Sequence, residues 1–258
     1  MLAGLRDSSP VALAVLGGLG TWLLTVVGTL PVLAFRQVPR RAMDAMMGGA
    51  AGIMVAASCW SLLVPALELG GLQRALPGLL AGAGALWLLD QAIPHVHPEF
   101  PTEARPEGPR VAWRRATLLM AAITIHNFPE GLAVGLGFGS GDPERGLALA
   151  LGIGLQNIPE GLAIALPLRR DGMSRGRAFW YGQLSAVVEP FAALLGAWFV
   201  TVAAGALPFG LAFAAGAMLY VVVEELMPET TRGGNVDVAT VGFVVGFAVM
   251  MALDQLGR

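Results

Sequence analysis

The sequence predicts an all-α, polytopic integral membrane protein of eight transmembrane helices with both termini outside, a single domain over residues 1–258. Composition is the first ground. Of the residues, 55% are hydrophobic and 13% charged, about half the charged share of a soluble globular domain, which is too little to cover a water-facing surface. The second is the recurrence, from end to end, of apolar runs near the roughly 20 residues that a helix needs to cross hydrocarbon. The third is the placement of arginine, which supplies all sixteen of the Lys+Arg residues because lysine is absent.

On that ruler the spans fall at about 10–35, 44–67, 75–94, 114–138, 144–168, 177–204, 207–227 and 235–256. All are read as helices, since an open strand leaves its backbone unpaired in lipid. The first follows Arg6 and Asp7 with no convincing small-residue cleavage site, so it reads as a retained helix and not as a removed signal peptide. The third and seventh are the shortest. With the N-terminus outside, Arg36, Arg40, Arg41, Arg105, Arg110, Arg114, Arg115, Arg169, Arg170, Arg175, Arg177 and Arg232 fall inside. Arg6, Arg74, Arg145 and Arg258 fall outside. Twelve against four is a strong positive-inside bias, and it suits an even number of crossings. The net charge of -2 adds little to this. Cys59, the single cysteine, sits in an apolar stretch, cannot close an internal disulfide and leaves the redox compartment open.

The longest loop, about 95–113, is then cytoplasmic. Its run HVHPEFPTEARPEGPR is proline-rich and polar, and flexibility is expected of it. His95 and His97 form a His-x-His that either catches a metal ion loosely or is incidental to a solvated loop.

One internal echo stands out. HNFPEGLAVGL at 126–136 and QNIPEGLAIAL at 156–166 match at a spacing of 30 residues on consecutive, antiparallel spans. Each begins about 12 residues into its helix, near mid-depth at about 1.5 Å per residue. An ionisable group at that depth costs a few kcal/mol or more and usually marks a pathway or site. His126 and Glu130 are four apart and share a helix face, as do Gln156 and Glu160, with Asn127 and Asn157 alongside. Glu189, in SAVVEP on the sixth span, lies at a similar depth. Three carboxylates and an imidazole at one level repel or stay protonated unless a cation joins them. Pro129 and Pro159 each free the carbonyl four residues earlier, at Ile125 and Leu155, and Gly131 and Gly161 let neighbouring helices approach.

Ligand type narrows the cation. One imidazole with carboxylate and amide oxygens suits zinc, and also iron(II), manganese, cobalt or cadmium. A lone cysteine argues against a copper(I) thiolate site, and magnesium does not call for histidine.

The paired motifs resemble the ZIP (Zrt/Irt-like) family of metal transporters, in its prokaryotic, GufA-like branch, and the resemblance covers essentially the whole chain. It implies that His126, Glu130, Gln156 and Glu160 are metal ligands. It implies a second, adjacent metal position at Asn127 and Glu189, where an aspartate is common in place of Asn157. It also implies that Met54, in GIMVAASCWSLLVPALE, approaches the first metal; the alternative is a core methionine. Import into the cytoplasm, a bacterial inner-membrane location and a homodimer are further implications. Glu68 and Asp254, at outer span ends with Ser61 a turn or two deeper, form an electronegative way in. Asp90, Glu224, Glu225 and Glu229, with His95 and His97, lie toward the inner face as a way out.

Rival readings are a membrane-embedded metalloenzyme, a carrier of protons, sodium or an organic solute on the same carboxylates, and kinked helices whose polar groups merely satisfy one another. HExxH and G-x-S-x-G are absent, and no nucleophile or base stands apart from the cluster, so no enzyme is expected. No P-loop is present, so no hydrolysable cofactor is expected. The expected partners are the divalent ion and the lipid bilayer, not nucleic acid.

Overall fold

The computed structural model describes residues 8–93 and 115–256, and every regular element in them is helical. α1 is Pro10–Thr29, followed by a short α2 at Pro31–Ala34. α3, Arg40–Ala56, passes through a π-helical stretch at Ala57–Leu63 into α4, Val64–Ala92. α5 is Arg115–Gly139 and α6 is Pro143–Arg170. α7, Arg175–Leu184, tightens at Ser185–Val187 into α8, Val188–Val202. α9, Leu207–Val221, passes through a second π-helical stretch, Val222–Leu226, into α10, Met227–Arg232. α11 is Val236–Leu256. Proline opens α1, α2 and α6, where its fixed φ suits the first turn and its missing N–H costs nothing. Asp142 caps α6 by accepting from the Arg145 N–H at 3.0 Å.

Six stretches of the described residues are long and apolar enough to cross a bilayer: Pro10–Ala34, Arg40–Ala92, Pro143–Arg170, Arg175–Val202, Ala204–Leu226 and Val236–Leu256. The second, Arg40–Ala92, is 53 residues long and holds two helices that meet at a kink. If straight it measures about 80 Å at 1.5 Å per residue, far beyond a hydrocarbon core of about 30 Å. It is interrupted at Gly71, with φ 62° and ψ -179°, a backbone region open only to glycine. On either side of that corner the partners change: α3 packs chiefly against α11, and α4 against α9. The inner loop of about 95–113, with His95 and His97, lies outside the described residues, as does the side chain of Glu229.

Packing divides the helices by the kind of contact they make. A Cβ on Gly28 or Gly161 would strike the backbone between α1 and α6, at the Ile158 and Thr25 carbonyls. On Gly131, Gly135 or Gly196 it would strike the backbone between α5 and α8, and on Gly18 that between α1 and α8. Backbones also meet along α3 and α11, through Gly48, Gly52, Gly242 and Gly246, and along α4 and α9, through Gly78, Gly82 and Gly216. Small residues permit this approach where lipid supplies no hydrophobic drive to helix association. Across the seam from α5 and α6 to α3, α9 and α11, the glycine neighbours are side chains: Met250 and Ile53 against Gly152, and Leu136 against Gly210. Two sets of helices emerge, α1, α5, α6 and α8 against α3, α4, α9 and α11.

Gly71→Ala should lower stability by about 1–3 kcal/mol, the cost of a side chain in this backbone region. Gly84→Ala, with open space around the added Cβ, should be neutral or mildly stabilising. Thermal unfolding in mild detergent compares the two.

Candidate metal centre

The echoed motifs do meet. Pro129 and Pro159 lie inside α5 and α6, and between them the Gln156 side-chain amide donates to Glu130 Oε1 at 2.7 Å. Both residues are fully buried. One helix face on each side carries a carboxylate four residues from a second polar side chain, and Glu130 and Glu160 stand within electrostatic reach of each other. His126, Glu130 and Glu160 line one cavity of about 250 Å³. Its wall continues through Pro167 and Val221 to Arg40 and Arg170.

Glu225 lines the same cavity. Its Oε1 meets His126 Nε2 across the space, and Glu160 feels its charge. The reason is local. Glu225 sits in the π-helical stretch Val222–Leu226, where wider turns re-aim side chains relative to an α-helix. Its neighbour Glu224 turns elsewhere and accepts from the Tyr220 hydroxyl at 2.8 Å.

A second cluster lies beside the first. The Asn157 amide donates to both oxygens of Glu189, at 2.9 and 3.0 Å, and to the Thr21 carbonyl at 3.3 Å. Glu189 is fully buried, and Asn127 and Asn157 are almost so. Thr21 was missed in the sequence, although Thr21, Thr25 and Thr29 recur at helical spacing and all three are buried, a small polar stripe that faces α6.

The donor count is short. Asn127 Oδ1, Glu130 Oε2, Gln156 Oε1 and Asn157 Oδ1 are buried acceptors without a hydrogen-bond donor. An orphaned buried acceptor costs about 1–3 kcal/mol, and here four oxygens want positive charge. Among the described residues no group of three or more His, Cys, Asp or Glu side chains is placed to hold a metal ion.

Other candidates lie apart. Met54 is fully buried and is not in the cavity wall; Ser58 Oγ donates to its carbonyl at 2.8 Å. Ser61 Oγ donates to Asp254 Oδ1 at 2.8 Å, inside the protein, whereas Glu68 is exposed on α4. Asp90 is buried, with the Gln91 amide at 3.5 Å. Met47, Arg40 and Arg170, which the sequence did not single out as ligands or lining, contribute to the cavity wall.

Comparison with known proteins places the chain in a family. The family profile described as ZIP zinc transporter matches residues 102–254. The chain is 42% identical to zinc transporter ZIPB of Bordetella bronchiseptica, over 95% of this chain and 81% of that one. It is 40% identical to zinc transporter GufA of Myxococcus xanthus, over 90% and 93% of the two chains. With human zinc transporter ZIP11 the identity is 39%, over 97% and 98%. The two x-N-x-P-E-G helices, the buried carboxylates they bring together and these matches agree, and the chain belongs to the ZIP family of zinc transporters.

Proposed function

We propose that this protein carries divalent transition-metal ions, zinc foremost and cadmium, iron(II) and manganese besides, across a bacterial inner membrane into the cytoplasm. The observation that carries this is the surplus of buried acceptor oxygens around Glu130, Gln156, Asn127 and Asn157. No donor answers them, and a divalent cation does. His126, Glu130, Gln156 and Glu160 hold the ion. A second ion at Asn127, Asn157 and Glu189 is the finer reading. There the Asn157 amide already supplies Glu189 with two donors, so the first position fills first.

The topology proposed is eight crossings with both ends outside: the six apolar stretches, with Arg40–Ala92 folded at Gly71 into two, and α5 in addition. The bilayer is its surroundings, and lipid-facing small-residue helices suit a homodimer. In this orientation Arg40 and Arg170 mark the cytoplasmic end of the cavity. Toward the outside, Met250 and Ile53 pack over Gly152, one turn above Gln156, and Ser61 is bonded to Asp254. The arrangement is that of a site reached from the cytoplasm and sealed above. Ions enter past Glu68, Ser61 and Asp254 and leave past Glu225, Glu224 and Asp90, with Glu229, His95 and His97 further along the exit.

Alternating access follows from the two kinds of seam. Set α1, α5, α6 and α8 carries the ligands and is joined backbone to backbone. Side-chain contacts across to the other set are free to exchange partners as α5 and α6 slide or rock.

Three outcomes test this. Zinc-65 uptake into proteoliposomes should saturate, be competed by cadmium, and fall to background in Glu130→Ala; wild-type protein that binds zinc without moving it would end the carrier reading. In a Cys59→Ser background, cysteines at Leu136 and Gly210 joined by a short crosslinker should stop uptake, and undiminished uptake would rule out sliding along that seam. Asn157→Asp should lose about 1–3 kcal/mol in chelator-treated buffer, because Glu189 loses its donor and gains a like charge. Added zinc should restore the melting temperature.

A further inference from the structure

The contact between His126 and Glu225 joins the two helix sets at the site itself. His126 is on α5 with the other ligands, whereas Glu225 is on the π-helical stretch after α9. Both side chains are largely shielded, at 12% and 10% exposure, and both line the cavity that holds Glu130 and Glu160. The atom that Glu225 touches is Nε2, a nitrogen through which imidazole binds metal. While Glu225 engages that nitrogen, an ion at Glu130 and Glu160 cannot use it.

We propose that Glu225 is a release residue: it competes with the transported ion for His126 Nε2 and takes the imidazole as the ion departs. The proposal rests on the reading of His126 as a ligand. It gives Glu225 a role distinct from lining an exit, and distinct from that of an added ligand. Three further features favour it. Glu225 is placed on the opposite helix set, so its contact with His126 is made or broken by the same displacement that opens the site. Wider π turns aim it into the cavity. Glu224, the adjacent carboxylate, is held by Tyr220 and leaves the task to Glu225 alone.

The informative variant keeps the charge and shortens the reach. Glu225→Ala removes a negative charge from the cavity wall, which by itself weakens cation binding. Glu225→Asp retains the charge but withdraws the carboxylate by one methylene. Equilibrium zinc binding in detergent, and zinc release into a fluorescent chelator, should be measured for wild type, Glu225→Asp, His126→Ala and the double variant, with melting temperatures to confirm folding. The expected result is a Kd about threefold or more lower for Glu225→Asp, with release slowed by a similar factor. Neither change should occur when His126→Ala is present. Weaker binding in Glu225→Asp would make Glu225 an ordinary ligand, and unchanged binding and release would make it mere lining; either overturns the proposal. If Glu225→Asp does not fold, Glu225→Gln with Tyr220 and Glu224 intact serves: its release should slow despite the lost charge, and faster release overturns the idea. Full zinc affinity in His126→Ala would instead overturn the reading of the metal site beneath it.

Discussion

A carboxylate between lipid-spanning helices has to find a donor or a cation, because the surrounding hydrocarbon supplies neither. Four carboxylates lie within electrostatic reach of one another here: Glu130, Glu160, Glu189 and Glu225. The donors offered to them are few. Gln156 serves Glu130, the Asn157 amide and the Thr21 side chain serve Glu189, and His126 meets Glu225. The rest of the architecture follows from this shortage. α5 and α6 must approach closely for Gln156 to reach Glu130, and α8 must lie against α5 and α1 for Glu189 to meet Asn157. Glycines at 131 and 135 are where α5 meets α8, and Gly161 is where α6 meets α1.

The same glycines decide what can move. Backbone-to-backbone seams leave no slack, since a helix cannot slide by a fraction of a turn without driving a carbonyl into its neighbour. Seams made of Leu, Met and Ile side chains have several rotamers through which to repack. The helices that carry Glu130 and Glu160 each make the first kind of seam, α5 with α8 and α6 with α1, and meet the other set across the second kind. The polar tie from Asn157 to Glu189 and Thr21 links α6, α8 and α1 at mid-depth, so that this set is braced where its charge is concentrated.

Much of the site was legible because it depends on local spacing. His126 with Glu130, and Gln156 with Glu160, are each four apart, and a helix fixes such pairs on one face whatever surrounds it. Their repetition on antiparallel spans brought them together without knowledge of the packing. That Glu225 shares a cavity with His126 was not legible, because depth was counted along a regular helix and nothing in VVEELMP announces a π turn. Gly71 read as part of a loop, since a single residue turning a continuous helix leaves no polar run behind it. Thr21 was passed over because threonine is common in apolar helices. Its role came into view only when Asn157 was found to reach its carbonyl.

A carrier must hold its ion well enough to select it and loosely enough to lose it, and the charge along the cavity bears on both. Deep in the wall stand Glu130 and Glu160, with Glu225 opposite; at the other end stand Arg40 and Arg170. Arg40 is partly neutralised by Asp44 at 2.7 Å, which Asn235 also holds at 2.9 Å. A divalent ion therefore finds its attraction confined to the carboxylates and meets positive charge beyond them. Such a mouth does not retain a cation that has left and discourages its return. What it cannot do is start the departure, because oxygen ligands in a low-dielectric site bind a divalent ion strongly. The first group to let go must be one with another partner within reach, and in the proposed site His126 has that partner in Glu225. Directional release thus needs only a competitor at the site and a repulsive rim outside it, and both are built from residues of the cavity wall.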